Sequence, residues 1–250
     1  MKHKINTLIA FLSMLILTLF YFLTSNFEFI YLLLFVLIIY LTILTVGVFN
    51  LKFNYFFKSI SSLSKNYLYL TFDDGPHPIV TPKLLQILKQ EGVKASFFVI
   101  GEKVEKYPEL VKEIDFNGHS IGNHTYSHSN FIATFSTSKL KEDILKTKKL
   151  LETILGKKNE LFRVPVGISN PRFGKVLNDL KLKSIGWSFR TFDTKKEPDF
   201  LAKRLNKQLN GGEIILFHDT IEENLPLIEQ FIQKQKKVGN KFANLSEINS

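Results

Sequence analysis

Two long apolar stretches open this chain, and short apolar runs separated by amphipathic ones fill the rest. Between Ile5 and Thr24, and again between Phe29 and Leu51, no residue is charged. At 1.5 Å per helical residue each stretch crosses a hydrocarbon core of about 30 Å. Only Ser25-Asn26-Phe27-Glu28 separates them, which predicts a tight two-helix transmembrane hairpin over residues 1–52. Lys2 and Lys4 would also start a secretory signal, but the apolar run exceeds the usual signal length and no small-x-small cleavage site follows. Residues 53–65 then read as a juxtamembrane linker to a domain over 66–250.

From Asn66 the period alternates. Strands are predicted over Tyr67–Phe72, Ala95–Ile100, His119–Gly122, Leu161–Val164, Lys183–Trp187, Glu213–Phe217 and Lys241–Ala243. Helices fall between them, over Thr81–Glu91, Pro108–Phe116, Ser138–Leu155, Pro171–Leu180, Phe200–Leu209 and Leu225–Val238. Such alternation implies parallel strands joined by right-handed crossovers, in either an open doubly wound sheet or a small barrel. No glycine-rich phosphate loop follows a strand, which disfavours the nucleotide-binding version.

Composition narrows the chemistry. The 250 residues include no cysteine, which excludes a disulfide scaffold, a thiol nucleophile, a zinc finger and an iron–sulfur cluster. The net charge is +10, but residues 66–250 hold 28 of the 33 basic and 22 of the 23 acidic side chains, leaving +6. Those lysines are scattered, and the run Lys146–Lys149 lies opposite the apolar face of a predicted helix. A nucleic-acid partner would require a concentrated basic stripe, so none is expected.

Four predicted strands end in polar residues. These ends are Asp73-Asp74-Gly75-Pro76, His124-Thr-Tyr-Ser-His128, Arg163-Val-Pro-Val-Gly167 and His218-Asp219. In parallel α/β folds the loops at the carboxyl ends of strands carry the chemistry. Asp73 and Asp74 should point apart as the chain leaves its strand, and a helical turn would put His124 and His128 on one face. Two imidazoles and one carboxylate make an open metal site. A second carboxylate then serves as base and a further histidine as acid, a set suited to hydrolysing an amide or an ester.

In this order, Thr71-Phe-Asp-Asp-Gly-Pro76, His124–His128, Arg163–Gly167 and Leu216-Phe-His-Asp219 resemble four motifs of the NodB-homology polysaccharide deacetylases, carbohydrate esterase family 4. The likeness covers roughly Leu68 to Phe242. It implies a distorted (β/α) barrel of about seven strands that removes acetyl groups from sugars with one divalent metal, usually zinc and sometimes cobalt or nickel. By that likeness Asp74, His124 and His128 ligate the metal, Asp73 is the general base, His218 the general acid, and Arg163 orients Asp73. The backbone N–H of Val166 would stabilise the oxyanion. One motif departs: in Trp187-Ser-Phe-Arg190-Thr-Phe-Asp193, Arg190 stands where the family places the aspartate that holds the acid histidine. Either Asp193 turns in to compensate or Arg190 points elsewhere. His77 is expected to shape its loop, His119 to hydrogen-bond at a strand start, and Trp187 to wall the pocket.

The resulting expectation is a membrane-anchored deacetylase of an N-acetylated sugar, polysaccharide or lipid-linked glycan. An O-acetyl esterase and a catalytically silent glycan-binding protein are the competing readings. Lys2 and Lys4 before the first span, and Lys52, Lys58 and Lys65 after the second, put both ends of the hairpin in the cytoplasm by the positive-inside rule.

Overall fold

A computed structural model describes residues 2–195 and 198–246. The expected domain bound at residue 250 lies outside them. Helices α1 (Lys2–Thr24) and α2 (Glu28–Phe49) form the antiparallel apolar hairpin. Both are long and apolar enough to cross a membrane, yet 94% of each apolar window stays unburied (6% buried), so neither is the core helix of a soluble fold.

The remaining strands are β1 (Ser59–Ile60), β2 (Tyr67–Gly75), β3 (Ser96–Val99), β4 (Ser120–Asn123), β5 (Leu161–Phe162), β6 (Lys183–Ile185), β7 (Phe189–Arg190), β8 (Ile214–His218) and β9 (Lys241–Phe242). The helices between them are α3 (Val80–Gln90), α4 (Gly101–Lys106), α5 (Pro108–Phe116), α6 (Thr137–Leu155), α7 (Pro171–Asp179), α8 (Pro198–Leu205) and α9 (Leu225–Lys237). Every strand pairs in parallel, in the order β1-β6-β5-β4-β3-β2-β8-β7, with β9 added to the start of β2. The sheet curls into a half-barrel whose edges are β1 and β7. Strand β1 arises from the stretch expected to be a linker and pairs with β6. Sequence periodicity also passed over α4 and β7, which are too short to establish a period.

Alternation along β2 divides the core. Leu68, Leu70 and Phe72 face the helices and pack with Leu84, Leu88 and Phe231, while Tyr69 faces inward with Phe98 and Ile214. Each fully buried side chain of this size contributes roughly 1.5–3 kcal/mol. Phe72 also stacks between Phe97 and Phe217, with centroids 5.2 and 5.7 Å away. The longest amphipathic helix, α6, starts on the Ser136 side chain, which accepts from Lys139 N, and stops at Gly156 in the left-handed region (φ 64°).

The hairpin is seated on the curled sheet. Ser169 Oγ donates to Gly47 O at 2.8 Å and Ser169 N to Val48 O at 2.9 Å. Lys52 Nζ donates to Ser188 O at 3.0 Å, and Asn6 Nδ2 to the Tyr55 hydroxyl at 2.8 Å. Gly47 allows the close approach, because a Cβ there would lie 2.3 Å from the Tyr55 ring.

Candidate active site

The inward face of β2 carries Tyr69, Thr71 and Asp73 in succession, so the backbone period delivers Asp73 to the mouth of the half-barrel. The same period would send Asp74 outward. Instead the β2–β3 register slips between Asp73 and Gly75, and Asp74 takes a left-handed φ of 72°. This bulge re-aims the second carboxylate. His124 Nε2 consequently lies 3.5 Å from Asp74 Oδ1 and 3.8 Å from Asp73 Oδ2, so the two aspartates converge on one imidazole rather than pointing apart. Gly75 follows because the Asp219 carboxylate occupies its side-chain space, with Oδ2 only 2.2 Å from where a Cβ would sit.

His124 and His128 meet, but no helical turn joins them. Thr125 and His128 both adopt left-handed φ values of 67° and 44°. The turn is pinned from outside: Asn123 Oδ1 accepts from Thr125 N at 2.8 Å, and Asp143 of α6 accepts from Tyr126 N at 2.7 Å and Ser127 N at 3.3 Å. The rings lie 4.9 Å apart, and His128 Nε2 is 3.2 Å from Asp74 Oδ1. A carbonyl only accepts, so His124 Nδ1 must donate to Arg163 O at 2.9 Å, which leaves its Nε2 lone pair facing Asp74.

These three groups fit a small divalent cation. Asp74 Oδ1 is buried without a hydrogen-bond partner, and one donor atom from each of Asp74, His124 and His128 lies within 4.8 Å of the others. Ligands about 2.0–2.1 Å from a tetrahedral ion stand about 3.3 Å apart. The carboxylate–imidazole separations of 3.2 and 3.5 Å bracket that value. Protonation states agree with it. Burial, the largest influence, opposes ionisation of Asp74, but in the metal-free protein the surrounding His124, His128 and His218 imidazoles, when protonated, outweigh it and hold the carboxyl well below the usual range. Burial, followed by the neighbouring His124, pushes His128 down towards the neutral ligand form.

Arg163, 0% exposed, reaches Asp73 from below. Its guanidinium donates to Asp73 Oδ1 and to Thr71 Oγ1, both at 2.7 Å, and its remaining N–H groups to Ile185 O and Gly186 O at 3.2 and 2.9 Å. On the opposite side of β2, His218 pairs in register with Asp73. Asp193 holds it at two points, accepting from the His218 backbone N–H at 2.7 Å and facing its Nδ1 at 2.9 Å. Burial opposes the charge on His218 most strongly. The Asp193 hydrogen bond and charge, with the charges of Asp73 and Asp74, outweigh it and raise the imidazole to about 9.

Both branches of the expectation for the departing motif are therefore realised. Asp193 turns in, and Arg190 points elsewhere, with its guanidinium 5.8 Å from the Trp187 ring centroid and 5.1 Å from that of Phe192. Val166 sits on an exposed turn at φ 50°, three residues before the serine that docks on α2. His77 Nδ1 accepts from Ile79 N and Val80 N, shaping the start of α3. His119 Nδ1 accepts from Ala95 N at 3.1 Å, and burial pushes its pKa down to about 4. Trp187 packs in the inner core beside Gly167 and Arg163. Three supporting residues carry no sequence signal of their own: Asp143 and Asn123, which shape the histidine turn, and Lys103, whose Nζ donates to Asp74 O at 2.6 Å. Asp219 lay inside a motif without a role. It accepts from Thr81 Oγ1 at 2.6 Å, and burial pushes its carboxyl up to about 7.

Known proteins share this arrangement of elements. The polysaccharide deacetylase family profile matches residues 61–185. A peptidoglycan-N-acetylglucosamine deacetylase of Bacillus cereus is 35% identical over 181 residues, covering 70% of this chain and 66% of that protein. The solved structure of the Bc1960 peptidoglycan N-acetylglucosamine deacetylase superposes with a TM-score of 0.70 at 33% identity, covering 76% of this chain and 91% of that one. A pseudoenzyme of carbohydrate esterase family 4 from Bacillus anthracis superposes at 0.68 with 30% identity, covering 75% and 66%.

Proposed function

Because this chain belongs to the polysaccharide deacetylase family, we propose that it is a membrane-anchored, metal-dependent hydrolase that removes the N-acetyl group from a sugar unit of a glycan or lipid-linked glycan. The observation that carries this reading is the placement of Asp73. It is fixed by a buried arginine on one oxygen, while the other lies 3.8 Å from an imidazole of the three-ligand cluster. Asp74, His124 and His128 hold the cation, most simply zinc given their mixed nitrogen and oxygen donors. When bound, a divalent cation there supplies Lewis acidity towards the acetyl carbonyl and the attacking water.

The chain's own residues divide the proton transfers. Asp73, held in place by Arg163, takes a proton from the attacking water as its oxygen bonds to the acetyl carbon. The Val166 N–H donates to the oxyanion that develops. His218, charged through Asp193, gives its proton to the sugar nitrogen as the C–N bond breaks, releasing acetate and the free amine. An O-acetyl ester would pass through the same residues. The silent reading draws on the pseudoenzyme that shares this fold. Here base, ligands and acid stand together in one mouth, which favours turnover.

The flanking lysines support a cytoplasmic catalytic domain, where the acetylated sugar would be presented on a membrane lipid. The deciding experiment uses the full chain in detergent with a panel of acetylated sugars. Acetate release should fall to background after chelation and return with zinc, and Asp74→Ala, His124→Ala and His128→Ala should each lose bound metal and activity together. An unchanged rate after exhaustive chelation would overturn metal dependence.

A further inference from the structure

The loop that frees Arg190 from the acid histidine gathers it into a second cluster. Phe192, in a left-handed conformation at φ 62°, is surrounded by three cations: Arg190 Cζ at 5.1 Å, Lys195 Nζ at 5.5 Å and Arg204 Cζ at 5.7 Å from its ring centroid. None of the three forms an ion pair among the described residues. Among the described residues, the only hydrogen bond made by their side chains runs from Arg204 Nε to Arg190 O at 3.0 Å, and Arg190 Nε is buried without a partner. Asp193 is engaged by His218 and Thr191, and no carboxylate among the described residues pairs with any of the three. Arg204 also packs over Phe189 at 4.5 Å and Lys195 over Phe200 at 5.0 Å, so the three cations flank the Phe192 loop, where a bound anion would offset their mutual repulsion.

Strand β7 sets Arg190 beside the strands that carry the catalytic mouth. Arg190 lies in register with Leu216 and through it with Thr71, two residues below the row that pairs His218 with Asp73 on the same face. The Arg190 and Arg163 guanidinium groups both lie within 6 Å of the Trp187 ring, at 5.8 and 5.9 Å. Two forked guanidiniums and an ammonium match the charge and several oxygens of a phosphoryl group better than a single carboxylate. We propose that Arg190, Lys195 and Arg204 form a phosphate subsite and that the acetylated sugar bears a phosphoryl group. This rests on the deacetylase reading for its reaction, but not for its binding.

The test uses the full chain in neutral detergent with zinc. Acetate release is compared between N-acetylglucosamine 1-phosphate and the uncharged methyl glycoside of N-acetylglucosamine. Binding is read separately, by titrating glucosamine 1-phosphate against the fluorescence of Trp187, the chain's only tryptophan. The expected result is at least a tenfold higher kcat/KM for the phosphorylated sugar and a saturable fluorescence change. Arg190→Ala and Lys195→Glu should cut the preference to under threefold, with Arg190→Lys intermediate. Lys195 is exposed, so its variant should fold even if Arg190→Ala does not. Equal kcat/KM for both sugars without saturable binding overturns the subsite and leaves deacetylation standing. Arg190-dependent binding without turnover of either sugar keeps the subsite and overturns the deacetylase. Saturation by phosphatidylglycerol micelles but not by glucosamine 1-phosphate overturns the sugar assignment in favour of a lipid headgroup.

Discussion

Asp73 and Asp74 are neighbours with different surroundings, and substitution should separate them. Asp73→Asn keeps the Arg163 contact and leaves the three-ligand cluster intact. The expected outcome is metal retained at wild-type stoichiometry and kcat reduced by about 10²–10⁴, as for loss of a general base. Metal analysis alongside acetate release distinguishes it from Asp74→Ala. As the proposed acid, His218 should set the alkaline limit. Its pKa of about 9 predicts that activity falls as pH rises through about 9 as the acid loses its proton, or somewhat lower when a cation at Asp74 offsets that carboxylate. Stability follows in the same direction, because a raised imidazole pKa contributes fully below about 6.5 and is lost as pH rises through the folded value. Asp193→Asn removes the main charge that raises it, so the alkaline limb of the rate profile should move to lower pH by a unit or more. An unmoved limb would mean that another group titrates there. The motif residues Asp73, Asp74, His124 and His218 were legible in the sequence because each stands at or just past a strand end that alternation predicted, and His128 follows in the loop beyond β4. The partnership of Asp193 with His218 was legible only as one of two options. It depends on how the backbone turns at Phe192, and an aromatic residue gives no advance sign of φ 62°.

At the scale of elements, the strain is concentrated around the mouth. Asp74, Thr125, His128, Val166 and Phe192 all hold positive φ without being glycine. Each such residue costs on the order of 1–3 kcal/mol and persists only where its surroundings over-determine it. The over-determining contacts are those of Asn123 and Asp143 at the histidine turn and those of Ser169 beside Val166. A helical turn, the one device by which the spacing alone would bring the histidines together, is not what forms: spacing of four is shared by a helix and by this turn, which the long-range Asp143 contact pins. Asp143→Ala should therefore reduce metal affinity by about 10–100-fold without touching a ligand, as supporting partners of metal ligands typically do. A metal-competition titration checks it, and unchanged affinity would mean that the turn holds itself.

For the whole molecule, the strand–helix alternation was readable because α3, α6 and α9 each bury a regular apolar face. The two-residue strands β1 and β7 were not, since they owe their conformation to neighbours in the sheet. The cytoplasmic side proposed for the catalytic domain rests on the lysines that flank the hairpin. A reporter fused after Ser250 should give a cytoplasmic signal, and an external one would reverse the topology while leaving the chemistry as proposed. The two hydrogen bonds from Ser169 to the last turn of α2 then acquire a kinetic meaning. They tie the loop bearing Val166 to the end of α2, so with α2 in the bilayer, as proposed, the mouth is held close to the surface. For the proposed lipid-linked substrate, encounter then becomes a two-dimensional search, and turnover should follow the mole fraction of acceptor in the lipid surface rather than its bulk concentration.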